Sequence, residues 1–274
     1  MTGTHSNSDL RPSRLHQRVE TFAFRVRTSK LRGTGASERV MLIHTVFDLA
    51  GWMTAALIGI LIGRLKLLPA TESRTPFTDP GYFIALGLGA LSGAIFVGSL
   101  NLNLAGTFAL GHSIAGGIIG GIVGVELYKW ANGIRGSTGK GFVAPLAAGI
   151  AVGRLGCFFA GLPDFTYGIP TALPWGVDFG DGIPRHPVQL YESAAMLVFL
   201  VVYLGTVARG SAVFLRDGFY LFVLFYGVQR FFWEFLKPYP AVLGPFNVFH
   251  LLCLAMIAYS LVMIGRNREL HPAR

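Results

Sequence analysis

Residues 188–207 read VQLYESAAMLVFLVVYLGTV. An α-helix needs about 20 predominantly apolar residues to cross a bilayer, and this stretch supplies them with one formal charge, Glu192. Six more stretches of similar length and character lie at about 41–63, 81–100, 112–130, 141–161, 216–236 and 246–265. The expected fold class is therefore all-α, a polytopic membrane protein with about seven transmembrane helices. Three regions follow. Residues 1–40 form a basic N-terminal tail, with a candidate interfacial helix around Leu15 to Val26. Residues 41–265 form the seven-helix transmembrane domain, and 266–274 a short basic tail expected in the cytoplasm.

Composition agrees. Of 274 residues, 52% are hydrophobic and 14% charged, against about 25% charged in soluble domains. A bilayer can hide that much apolar surface; a single soluble core cannot. The net charge of +9 invites a nucleic-acid reading, but 8 of the 23 basic residues fall in the first 40 positions. Juxtamembrane charge attracted to anionic lipid accounts for them, and no nucleic-acid partner is expected. The same 40 residues lack the long apolar core of a secretory signal. Cys157 and Cys253 sit in apolar stretches without metal-ligand spacing, and no GxSxG, HExxH, Walker or dinucleotide motif is present. Neither a metal nor an organic cofactor is expected.

Basic residues mark alternate loops. Arg64, Lys66 and Arg74, then Lys129, Arg135 and Lys140, then Arg209 and Arg216, then Arg266, Arg268 and Arg274 share one side. The other side carries Arg185 and Lys237. The positive-inside rule puts the first set in the cytoplasm. The N-terminus is then extracytoplasmic, against the charge of the tail, and the C-terminus cytoplasmic. The connector 161–187 falls outside. It is too long for a simple turn and holds Asp164, Asp178 and Asp181.

Charges within spans are costly and usually functional. Arg154 and Arg230 remain protonated in proteins, so each must face an anion, a polar cavity or a carboxylate. Tyr226, Arg230 and Glu234 are spaced i, i+4, i+8 and share a helix face. Either Arg230 and Glu234 form an ion pair that glues the bundle, or two guanidiniums clamp an anionic group such as a lipid phosphate. Glu192, one turn into its span, needs a partner, for which Arg154 and Arg230 are candidates. It closes the block Arg185-His186-Pro187-Val188-Gln189-Leu190-Tyr191-Glu192, where Pro187 suits a first helical turn. His186 is either a proton-transfer group or an interfacial histidine. His112, opening the third span, has the position of a cap or interface residue more than of a catalyst. His44 and Asp48, at i, i+4, either bond each other or line one cavity; His250 has no assigned role. Gly116, Gly120 and Gly124, with Gly117 and Gly121, recur every four residues and let helix backbones approach closely.

Five stretches in order resemble the prolipoprotein diacylglyceryl transferase family: His44…Phe47-Asp48, Gly116-Gly117-Ile118-Ile119-Gly120, Gly153-Arg154-Leu155-Gly156, the block Arg185 to Glu192, and Tyr226-Gly227…Arg230-Phe231…Glu234-Phe235. The resemblance covers about 41–265. It implies a seven-span enzyme of the bacterial plasma (inner) membrane that moves the diacylglyceryl group of phosphatidylglycerol onto the lipobox cysteine thiol of a prolipoprotein, with glycerol phosphate leaving. Phosphatidylglycerol, prolipoproteins and membrane lipids are the implied partners. Arg154 and Arg230 would hold the phosphate, and His186 or His112 would take the thiol proton, since the thiolate is the nucleophile. Gly116, Gly117, Gln189, Tyr191, Glu192, Tyr226 and Glu234 would line the substrate site. The chain departs from the family pattern at Ala115, where a histidine is usual, at Cys157 and Ala160, where asparagines are usual, and at Leu162, where an acid is usual. The phosphate-binding half is kept and the proton-transfer half altered. The alternatives are a non-catalytic phospholipid-binding or lipid-moving protein, or a transferase with a different acceptor. A small-anion transporter is weaker, because no inverted repeat or pair of broken helices is present.

Overall fold

The computed structural model describes residues 34–68 and 79–270. The candidate interfacial helix around Leu15 to Val26, together with Arg74 and Arg274, lies outside the described residues. The chain divides into two units, Met1–Leu42 and Ile43–Arg274. Within the first, residues 34–42 are helical.

Among the described residues, seven α-helices follow in order: α1 Thr34–Arg64, α2 Pro80–Leu104, α3 Ile114–Ala131, α4 Val143–Ala160, α5 Val188–Ala208, α6 Ala212–Glu234 and α7 Val248–Leu270. All seven are long and apolar enough to cross a membrane. The chain is a multi-pass α-helical membrane protein. α1 begins at Thr34, earlier than the apolar run at 41, because polarity marks the edge of a bilayer and does not stop backbone hydrogen bonding. Elsewhere the starts carry local signals. Asp79 caps α2 by accepting the Gly81 N–H at 2.8 Å, with Pro80 next in the chain. Ser113 caps α3 by accepting the Gly116 N–H at 3.2 Å.

The tightest pairings are α2 with α3, α6 with α7 and α4 with α5. Glycines explain the first. A Cβ built on Gly120 would lie 2.1 Å from the Gly89 carbonyl oxygen, and one on Gly93 would lie 2.3 Å from that of Gly116. The four-residue repeat read from the sequence is the contact surface of α3 with α2. A second close approach brings α1 to α4, where a Cβ on Gly156 would meet that of Phe47 at 2.5 Å. Val143, Ala147, Met196, Phe222 and Cys253 form a closed interior. Trp52, Leu88, Phe96, Val201, Phe232 and Leu261 point outward and exposed, as a lipid-facing surface requires and a soluble surface avoids.

The 161–187 connector holds the only strands among the described residues. A 3-10 turn, Leu162–Asp164, precedes an antiparallel pair, β1 Val177–Asp178 and β2 Pro184–Arg185, with Val177 opposite Arg185. Backbone bonds fasten it: the Gly168 N–H donates to His186 O at 3.1 Å, His186 N–H to Ile169 O at 3.1 Å, and Ile169 N–H to Leu236 O at 2.7 Å. The connector is thereby sewn to the start of α5 and the end of α6.

Candidate active site

Four helix ends meet beneath this connector: the C-termini of α4 and α6 and the N-termini of α5 and α7. Arg154 lies six residues before the end of α4, and Arg230 four before the end of α6. At 1.5 Å per residue, both stand within about 6–9 Å of that end of the bundle.

There they converge on Glu192. Its Oε2 is 2.7 Å from Arg154 Nε, and its Oε1 is 2.6 Å from Arg230 Nη1 and 2.7 Å from Lys237 Nζ. Glu234 Oε1 lies 2.7 Å from Arg230 Nε and 3.5 Å from Lys237 Nζ. Asn247 Nδ2 donates to Glu234 Oε2 at 3.3 Å. All five charged residues are at most 5% exposed. Arg230 thus forms the ion pair with Glu234 along its own helix, and both candidate partners of Glu192, Arg154 and Arg230, pair with it.

Three cations face two carboxylates, leaving one positive charge in surplus. An uncompensated charge taken out of water is costly, so the cluster favours one further anion. Burial pushes the Lys237 amine below the usual lysine range, with Arg230 adding to the effect and Glu192 and Glu234 opposing it. Two polar groups stand beside the cluster without hydrogen-bond partners among the described residues. Gln189, fully buried one turn before Glu192, has neither amide atom bonded, and the Tyr226 hydroxyl, one turn before Arg230, is likewise unbonded. Buried polar groups are almost always satisfied; these two are suited to a polar ligand.

A second group adjoins the first. His44 Nε2 lies 2.7 Å from Asp164 Oδ1. Cys157 Sγ completes a set of three ligand-type atoms all within 4.8 Å of one another, and it lies 4.0 Å from Arg154 Nη1. The Thr166 hydroxyl donates to Asp164 Oδ2. His44 therefore pairs across the bundle, while Asp48 is exposed on α1. The sequence offers no metal-ligand spacing; the fold brings a histidine, a cysteine and an aspartate together from α1, α4 and the connector.

The remaining expected site residues fall elsewhere. His186 Nδ1 is 3.4 Å from the Tyr191 hydroxyl, which accepts the Trp175 Nε1–H at 2.8 Å. These two form a polar-aromatic patch under the connector, and Arg185 is held by Asp181 at 2.6 Å. Gly116 and Gly117 pack against α2. His112 is exposed and precedes the cap residue Ser113, so it lies off the α3 helix.

Lys237, Asn247, Cys157 and Asp164 were not expected at the site from the sequence. Lys237 lies three residues after Glu234 and seven after Arg230, a spacing that would share their face if the helix ran on. Asn247 and His250 cap α7 reciprocally: Asn247 Oδ1 accepts the His250 N–H at 3.0 Å and His250 Nδ1 the Asn247 N–H at 3.1 Å. A separate cavity of about 430 Å³ opens at the opposite end of the bundle, between Glu126, Lys129, Arg135, Tyr220 and Arg266.

The architecture and the site define a class: a multi-pass helical membrane protein with a buried, cation-rich ion cluster at one end of its bundle. Residues 44–266 match the model of the prolipoprotein diacylglyceryl transferase family, and the chain belongs to that family. It is 35% identical over 163 residues to the phosphatidylglycerol–prolipoprotein diacylglyceryl transferase of Geobacter sulfurreducens, covering 56% of this chain and 60% of that one. The enzymes of that name from Polynucleobacter asymbioticus and Solidesulfovibrio magneticus are 31% identical over 231 residues and 33% over 232. Those alignments cover 81% and 75% of this chain, and 79% and 84% of the relatives. The chain spans about three fifths of the length of the Geobacter relative. No solved structure matches. The family and the seven apolar helices make this a multi-pass protein of the bacterial inner membrane.

Proposed function

We propose that the chain transfers the diacylglyceryl group of phosphatidylglycerol to the lipobox cysteine thiol of a prolipoprotein. The observation that carries this is the surplus positive charge of the Arg154–Glu192–Arg230–Glu234–Lys237 cluster, buried among apolar helices. A phosphodiester brings the one negative charge that neutralises it. Gln189 and the Tyr226 hydroxyl offer hydrogen bonds to the head group, while the acyl chains lie along the apolar helices.

The reaction follows from charge. The thiolate attacks the diacylglyceryl carbon bonded to the phosphate oxygen. A carbon–sulfur bond forms, the carbon–oxygen bond breaks, and its electron pair stays on the departing glycerol phosphate. That phosphate gains a second negative charge as the bond breaks. Arg154 and Arg230 are therefore of more use to the transition state than to the bound lipid, which is the condition for catalysis. In this proposal the N-terminus and the connector are extracytoplasmic. The basic residues at the other helix ends support that orientation by the positive-inside rule.

Arg230→Ala is the test. It leaves Arg154 and Lys237 facing two carboxylates, a neutral cluster, so the protein is expected to fold while transfer falls by about 10²–10³-fold. Transfer at the wild-type rate would remove Arg230 from the mechanism. Folded protein that binds the lipid and transfers nothing, with or without the substitution, would favour a phospholipid-binding protein or a different acceptor.

A further inference from the structure

The proposed reaction needs a thiolate, and a group must take the thiol proton. Neither His186 nor His112 bonds to the ion cluster. The group that does adjoin it is His44, Cys157 and Asp164. These three supply an imidazole nitrogen, a thiol sulfur and a carboxylate oxygen, all within 4.8 Å of one another and all half-buried. Ligand atoms around tetrahedral zinc, at bond lengths of about 2.0–2.3 Å, stand about 3.3–3.6 Å apart. The set lies within a small side-chain adjustment of that spacing. Its surroundings fit as well. The Thr166 hydroxyl fixes the Asp164 carboxylate, and ligating carboxylates are normally held in this way. Arg154 Nη1 lies 4.0 Å from Cys157 Sγ, so the group adjoins the ion cluster directly.

We propose that His44, Cys157 and Asp164 bind a zinc ion whose fourth position takes the cysteine thiol of the acceptor protein. This rests on the transferase reading and deepens it. Three protein ligands leave one position open, as in catalytic zinc sites. A thiol bound to zinc gives up its proton, here to solvent, and remains a nucleophile at neutral pH. Cys157 is bonded to the metal on one side and neighbours Arg154 on the other, so the activated thiolate stands next to the guanidinium that holds the phosphate. No redox change or further reactant is involved. The site gives Cys157 a role beside Arg154 and supplies the thiol activation that the proposed reaction requires.

The experiment uses the full chain in detergent, stripped with chelator and reloaded with zinc chloride or cobalt(II) chloride. Metal content after desalting, the cobalt spectrum and transfer are read together. The expected result is one zinc per chain and a thiolate-to-cobalt charge-transfer band that strengthens when a lipobox peptide is added. His44→Ala, Cys157→Ser and Asp164→Ala are each expected to weaken zinc binding by more than about 100-fold, beyond what outer-shell changes cost. If a variant does not fold, the band in the wild-type protein still decides the point. Absence of retained zinc, a cobalt spectrum without thiolate character, or undiminished binding by Cys157→Ser would overturn the site. Zinc-free protein transferring at the zinc-loaded rate would overturn the thiol role and leave the transferase reading standing. Zinc bound as described with no transfer in either form would count for the site and against the transferase reading.

Discussion

Glu192→Gln is the perturbation that bears most directly on the ion cluster. Glu192 is 1% exposed and holds three cations at 2.6–2.7 Å. The substitution keeps its shape and one carbonyl acceptor and removes its charge. Arg154, Arg230 and Lys237 are then opposed by Glu234 alone, and the surplus rises from one positive charge to two. Breaking a buried ion pair costs about 3–5 kcal/mol because the remaining charge stays desolvated. At about 2–4 °C per kcal/mol for a domain of this size, Tm falls by on the order of 10 °C. Thermal unfolding in detergent, followed by tryptophan fluorescence, reads this directly. The paired variant Glu192→Gln/Lys237→Met restores a surplus of one and is expected to recover more than half of the loss, a coupling that separate sites would not show. Glu192→Gln melting within about 2 °C of wild type, against the cost expected of a broken buried pair, would refute the reasoning. So would a paired variant no more stable than the single.

Three other outcomes follow. Gln189→Leu removes two buried polar atoms that have no protein partner, so Tm is expected to hold or rise while lipid binding weakens by about tenfold, the worth of one or two hydrogen bonds; native mass spectrometry with phosphatidylglycerol checks it. Gly120→Ala forces α3 off the Gly89 carbonyl, and thermal unfolding is expected to record a loss of about 1–3 kcal/mol. His112→Ala, at an exposed position before the α3 cap, is expected to change stability by less than about 0.5 kcal/mol and to leave the transfer rate unchanged.

Much of the fold was legible because a bilayer imposes it: seven apolar runs of sufficient length predict seven helices wherever they lie. The glycine repeat of α3 was legible for a related reason, since small residues every fourth position mark one face. Arg154, Arg230 and Glu192 stood out as charges in apolar sequence, and their mutual pairing follows from the cost of leaving any one alone. Lys237 did not stand out, because it lies past the end of its span, where a lysine ordinarily meets water; here it is buried against Glu192, Glu234 and the Tyr239 ring. The His44–Cys157–Asp164 group was invisible for a different reason. Its members are 113 and 7 residues apart in sequence, and only the close approach of Phe47 to Gly156, with the turn at Leu162–Asp164, brings them together. Gly116 and Gly117, expected at a substrate site, face α2, because the same absence of side chain serves helix packing.

The central claim is that this cluster supports transfer from lipid to thiol. The measurement is made with purified protein, phosphatidylglycerol carrying labelled acyl chains, and a lipobox peptide with its cysteine or with serine in its place. Label on the cysteine peptide alone, lost in Arg230→Ala, is the predicted result. Lipid bound by folded protein with no label on either peptide, beside an active relative as control, would contradict it.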